Sequence, residues 1–169
     1  MKRIIFILAC AFLALSAPSY AQHTKLGHIN TSQLVLLLPE MKAADSSLQK
    51  FSASLESQLK VMFNEYQTKV ADFKASEATM AEPVKQTKAK EVDDLEQRIR
   101  QFQEDAEASV QKKEQELLAP ISKKVEDAIK AVAKEKGYAY IFDMSRGSVI
   151  YAQETDDIMP LVKTKLGLK

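Results

Sequence analysis

Residues 48–73 read LQKFSASLESQLKVMFNEYQTKVADF, and the placing of apolar side chains in this stretch decides the architecture. Leu48, Phe51, Leu55, Leu59, Met62, Tyr66, Val70 and Phe73 follow one another at steps of 3, 4, 4, 3, 4, 4 and 3 residues. Such steps lay all of them along one narrow stripe of an α-helix, whereas a strand needs strict alternation. A second stripe follows in Val92, Leu95, Ile99, Phe102, Ala106 and Val110, at steps of 3, 4, 3, 4 and 4. Successive steps that sum to 11 correspond to ~3.67 residues per turn, which keeps a stripe nearly straight.

Working outward, the helix breakers are absent where the stripes run. Between Pro39 and Pro120 the single breaker is Pro83, and Gly27, Gly137, Gly147 and Gly167 all fall outside. Two long antiparallel helices are therefore predicted over residues 46–119, reversing at a tip near 81–84. Met41 to Met80 alone spans about 60 Å at the standard helical rise. That exceeds the width of a compact domain of this size, so the hairpin should project as an arm. Its other faces are charged, with Glu56 and Lys60, Glu65 and Lys69, Asp94 and Arg98, and Glu96 and Arg100 in the favourable i, i+4 order.

The remaining segments, 22–45 and 120–169, carry the β signals and form the expected body. Leu26 to Asn30 reads as a short strand, with Thr31 or Ser32 capping a brief helix through Leu37. Gly137, after Lys134 and Lys136, is placed to end the second long helix. Tyr138 to Met144 and Val149 to Tyr151 flank Ser145-Arg146-Gly147-Ser148, the pattern of a β-hairpin. Thr155-Asp156-Asp157 then opens a closing helix to about Leu166. Pro120 lies within helical periodicity that Ile121, Val125, Ile129 and Val132 continue, and a kink between arm and body is expected there.

The amino terminus reads as an address. Lys2 and Arg3 precede an apolar run from Ile4 to Leu15, and Ser19-Tyr20-Ala21 is a small-x-small cleavage site. Residues 1–21 are thus expected to be a secretory signal peptide, too short in its apolar run to span a bilayer. A lipoprotein reading at Cys10 stands as the alternative, although the apolar run continues past that residue. Cleavage leaves 148 residues without cysteine, and with 22 basic against 23 acidic side chains. Packing and assembly, not disulfides, must stabilise such a chain. Its balanced charge argues against nucleic acid.

A body of this size buries little surface alone, and its strands are apolar on both faces. Self-association is expected through Leu26, Ile29, Tyr140, Ile141, Phe142, Val149, Ile150 and Tyr151. Periodicity does not give the number of subunits. Catalysis is not expected: the mature chain has no Cys or Trp and only two histidines, His23 and His28. His28 reads as a half-buried strand residue. Asp93-Asp94 reads as a solvated helix face and Asp156-Asp157 as a helix start. No nucleophile elbow, phosphate loop or dinucleotide fingerprint occurs, so neither cofactor nor metal is expected.

In order and spacing, several segments resemble the Skp/OmpH family of periplasmic chaperones. They are the opening from Lys25 to Leu34, Pro120-Ile121 with Ala128-Ile129 and Lys136-Gly137, the segments Gly137 to Asp143 and Val149 to Tyr151, and Asp157-Ile158. The likeness covers essentially the whole mature chain. It implies a homotrimer with a shared β body, whose hairpin arms enclose unfolded outer-membrane proteins without ATP, in the periplasm. Under that reading Leu55, Leu59, Met62, Phe63, Tyr66, Phe73, Val92, Leu95, Ile99 and Phe102 are the client-binding candidates, though most of them also suit the seam between the arms. A structural or adaptor protein docking on another envelope complex is the alternative. One departure stands out. Residues 46–119 hold 11 basic and 14 acidic side chains, whereas members of the family often carry basic arms. Contact with anionic lipid surfaces or lipopolysaccharide is left open, and apolar contact has more of the holding to do.

Overall fold

A computed structural model describes residues 24–168, and the signal peptide expected over residues 1–21, with Cys10, and His23 lie outside them. In chain order the elements are β1 (Leu26–Ile29), α1 (Thr31–Leu36), α2 (Pro39–Ser76), a 3-10 turn (Glu77–Thr79) and α3 (Glu82–Lys136). They continue with β2 (Tyr140–Asp143), two further 3-10 turns (Met144–Arg146 and Glu154–Asp156) and α4 (Met159–Lys165). The fold is α+β, a long helical hairpin on a small β body.

Helix boundaries follow from local chemistry. Proline stands in the first turn of α2, α3 and α4, where its missing N–H removes no intrahelical bond. Pro83 therefore belongs to the start of α3 and not to the connector, which is Met80 and Ala81. Gly137 closes α3 with a left-handed φ of 70°, and the Tyr138 amide donates back to the Ala133 carbonyl at 3.0 Å. Asn30, rather than Thr31 or Ser32, caps α1, accepting a hydrogen bond from the Gln33 amide at 3.0 Å. Within α3 the 55 residues continue through Pro120 without a break. The missing amide there costs one hydrogen bond, which the helix on either side tolerates because α3 is packed against α2 on the arm side and against the body core beyond.

β1 and β2 pair in parallel, with Leu26 opposite Tyr140 and His28 opposite Phe142. On the far edge of β1, His28 makes a parallel bridge to Asp157, and the Ile158 amide donates to the His28 carbonyl at 3.0 Å. The expected hairpin from Tyr138 to Tyr151 does not form. β2 instead pairs with Leu26–Ile29, and Val149 to Tyr151 has no strand partner among the described residues. Parallel pairing requires a long crossover, which the whole arm supplies.

Ile29, Leu34, Leu38, Ile121, Val125, Val132, Ile158 and Val162 form the body core, with Ala44 and Ala128 filling it. Ile29 was expected at a subunit contact, but it is buried in this core. Alternation along β1 turns it inward and leaves Leu26 facing out. Gly27 allows the same strand to approach its neighbours closely. A Cβ there would meet Ile158 Cγ2 and the Tyr138 ring at 3.0 Å. Lys25 lies 4.1 Å from the centroid of that ring, and its Nζ donates to the Lys136 carbonyl at the end of α3 at 3.1 Å.

Asp143 fastens the end of β2 to the start of α1. Its carboxylate accepts from the Thr31 amide (3.2 Å), Thr31 Oγ1 (2.7 Å), the Ser145 amide (2.9 Å) and Ser145 Oγ (2.8 Å). Burial raises the pKa of this carboxyl, but the hydrogen bonds outweigh it and hold the group below its ordinary value.

A carboxyl depressed in the folded state stabilises the fold above its unfolded pKa, and that contribution is lost as pH falls through the folded pKa. Asp143→Ala should therefore destabilise the protein by about 1–3 kcal/mol at neutral pH. In urea titrations repeated at decreasing pH, the gap from wild type should close in the acid range. Gly27→Ala should cost about 1–3 kcal/mol through overpacking, with no such dependence on pH.

Candidate functional site

Two apolar surfaces stand out on this frame, one along the arm and one on the outer face of the sheet. Along the arm, the stripe of α2 packs against that of α3. Leu48, Leu55, Leu59, Met62, Tyr66 and Phe73 are half-buried, as are Val92 and Phe102. The seal is tightest in the distal half, where Leu95 retains 1% and Ile99 4% of their accessible surface. Both were candidates for client contact. Their side chains are instead closed between the helices, because the centre of an antiparallel seam is covered from both sides. Phe63 lies beside the seam and remains 39% exposed, and Val61 and Val84 are exposed with it.

Ion pairs cross between the helices at three levels. Lys124 meets Glu40 at the base, Lys69 meets Glu91 at 3.0 Å in the distal half, and Lys85 meets Glu77 at 2.8 Å at the tip. The hydrogen bond that Lys69 donates holds the Glu91 carboxyl below its usual value, and the one that Lys85 donates to Glu77 raises the pKa of Lys85. These pairs are exposed and contribute little to stability. They do favour one register of the hairpin, since a shift along either helix would separate all of them. Of the four pairs expected within helices, Glu96 with Arg100 forms, at 2.6 Å.

Seen from the sheet, Leu26, Tyr140 and Phe142 point outward and are exposed, while Ile141 packs toward the core. The segment from Ser148 to Ala152 passes beside them and leaves Ile150 100% and Tyr151 80% exposed. Together they line an open groove of about 540 Å³, with Leu26, His28 and Phe142 on one side and Val149, Ile150 and Tyr151 on the other. His28 Nε2 lies 2.9 Å from the Gln153 carbonyl and ties the segment back to β1. A protein rarely leaves so much aromatic and branched surface against water without a covering partner.

The OmpH-like outer membrane protein family matches residues 25–166. This chain belongs to the OmpH-like family. A solved structure of a candidate outer membrane chaperone (OmpH-like) from Caulobacter crescentus CB15 has a TM-score of 0.73 with 17% identity, over 84% of this chain and 83% of that one. At that identity the likeness is one of fold: helical arm and small β body are shared. No curated protein matches the chain significantly. OmpH-like proteins are a chaperone family, and none of the helices described here is long and apolar enough to cross a membrane.

The difference between sealed and open arm positions can be measured. Leu95→Ala should destabilise by about 2–5 kcal/mol and raise amide exchange along the distal arm. Phe63→Ala should change stability by no more than ~0.5 kcal/mol. Equal effects of the two substitutions in thermal melts would contradict the assignment of seam and surface.

Proposed function

We propose that this OmpH-like protein is an ATP-independent holdase of the periplasm that keeps unfolded outer-membrane proteins from aggregating in transit. The observation that carries the reading is the arm itself, a hairpin whose first helix runs about 57 Å from within the body to the tip and which presents apolar side chains beside its seam. Enzymes concentrate a few groups in a pocket. A long, shallow, partly apolar surface suits instead an unfolded chain, which offers many weak contacts and no fixed shape.

Mass action is sufficient for such a task. A surface that binds the unfolded client and not the folded one lowers the free concentration from which aggregates grow, with no chemical step. Several arms around one client convert weak contacts into useful avidity. In this reading the arms come from a homotrimer, and the exposed base face, with Tyr140, Phe142, Ile150 and Tyr151, forms the contact between copies. Val149 to Tyr151, which has no strand partner among the described residues, would there find one. The residues proposed to touch client are Leu55, Leu59, Met62, Phe63, Tyr66, Phe73, Val92 and Phe102, which retain accessible surface. A cleavable signal at residues 1–21 would deliver the chain to this compartment.

Purified protein should suppress light scattering from a urea-diluted outer-membrane β-barrel at near-stoichiometric ratio, without nucleotide. Unchanged scattering would refute the proposal. Sedimentation should give a trimeric mass for the wild type, and Ile150→Asp combined with Tyr151→Asp should shift it toward the monomer. A trimer that withstands both substitutions would place the contact elsewhere.

A further inference from the structure

The proximal half of the arm contains a groove with an apolar floor, whereas the groove of the distal half is lined by charged and amide side chains, Glu65, Lys69, Glu91, Asp94, Arg98 and Gln101 among them. The proximal floor is Leu55 and Leu59 from α2 with Phe102 and Val110 from α3, and the volume of this groove is about 650 Å³. Small side chains make it: Ser52 and Ala106 stand where bulkier residues would close the seam, as Leu95 and Ile99 do further out. From Ser52 to Leu59 the floor is about 10 Å long, room for about three residues of extended chain.

Two carboxylates border it, Glu56 on α2 and Glu107 on α3. Among the described residues neither has a cation within ion-pair distance. Lys60, in position to serve Glu56, does not pair with it, and Arg100, two turns before Glu107, is held by Glu96 at 2.6 Å. An apolar floor between two uncompensated negative charges favours a ligand that is apolar in the middle and cationic at its flanks, and it opposes a carboxylate. A second arm of this chain would fit less well, because its proximal helices mix the signs, with Lys112 and Lys113 set among Glu104, Asp105, Glu114 and Glu116, and so offer no apolar centre with cationic flanks.

From this geometry we infer that the proximal groove is a charge-selective subsite for extended client segments in which one or two apolar side chains are flanked by lysine or arginine. The inference rests on the holdase reading and specifies which part of a client is gripped. It also accounts for how an arm with an acidic excess can hold a chain: basic flanking residues supply the complementary charge, and the floor supplies the apolar contact.

Fluorescent nine-residue peptides provide the test, each with the same leucine, phenylalanine and valine centre and with flanks of lysine, glutamine or glutamate. Measured by anisotropy on the full assembly, the lysine-flanked peptide should bind roughly threefold to tenfold more tightly than the glutamate-flanked one, the more so at low salt. The double variant Glu56→Gln with Glu107→Gln should lose that preference while binding the glutamine-flanked peptide as before. Ala106→Trp, which fills the groove, should abolish binding of the lysine-flanked peptide with helix content unchanged. Equal affinities in the wild type, or a preference that survives the double variant, overturn the subsite even when aggregation is still suppressed. A change of assembly mass on Ala106→Trp assigns the groove to a second copy and overturns it too. Loss of aggregation suppression by the wild type, in contrast, strikes at the holdase reading.

Discussion

One helix, Glu82–Lys136, is made to satisfy two different neighbours along its length, and the rest of the molecule is arranged around that constraint. Over its first part it offers a narrow stripe to α2, enough for a two-helix arm and no more. Beyond Pro120, Ile121, Val125, Ala128 and Val132 turn into a body core that also takes in β1, α1 and α4. Because the backbone is continuous between the two regions, the arm leaves the body in a direction set by core packing. The ion pair between Glu40 and Lys124 stands where the two regions meet.

The arm has little hydrophobic material to spare. A single seam of two helices buries only part of each side chain, which is why most of the stripe remains half-exposed while Leu95 and Ile99 close completely. In a globular enzyme such incomplete burial would be a liability. Under the proposed holdase role it would be useful, since half-covered apolar side chains can exchange contact with each other for contact with an unfolded segment. The base makes the opposite use of exposure: Ile150 and Tyr151 lie together on one outer face, so that their burial can be met by a single defined partner.

The arm was legible in the sequence because helical periodicity and the scarcity of breakers are local signals, repeated over dozens of residues. The C-terminus of the long helix was equally plain in Gly137, whose left-handed conformation the Lys-Gly pair anticipates. Reading failed where partners lie far apart in the chain. Tyr138 to Tyr151 has the alternation of a hairpin, but β2 pairs with Leu26–Ile29, and nothing near either strand announces the other. Seam and surface were confused for a geometric reason. Periodicity sets Phe63 beside the stripe, but Leu95 and Val92 are both stripe residues, and only the register between the helices determines that the first is enclosed and the second half-open. That register also decided the ion pairs, joining Lys69 to Glu91 across the arm in place of Glu65 along it. Ala106 was visible as a member of the stripe, but that its small size helps open a groove depends on which residues of α2 border it, Ser52, Leu55 and Leu59 among them.

Parallel pairing of the first strand with one near the end has a temporal consequence. Thr31 and Asp143, whose hydrogen bonds lock the body, are 112 residues apart, and α4 lies further on still. As the chain emerges amino end first from a ribosome or a translocation pore, β1 must wait, unpaired, for almost the entire polypeptide to follow. The hairpin arm, made of neighbours in sequence, can zip up meanwhile. Maturation is thus ordered by topology: the arm is ready before the base, and the base is completed only when synthesis is nearly over.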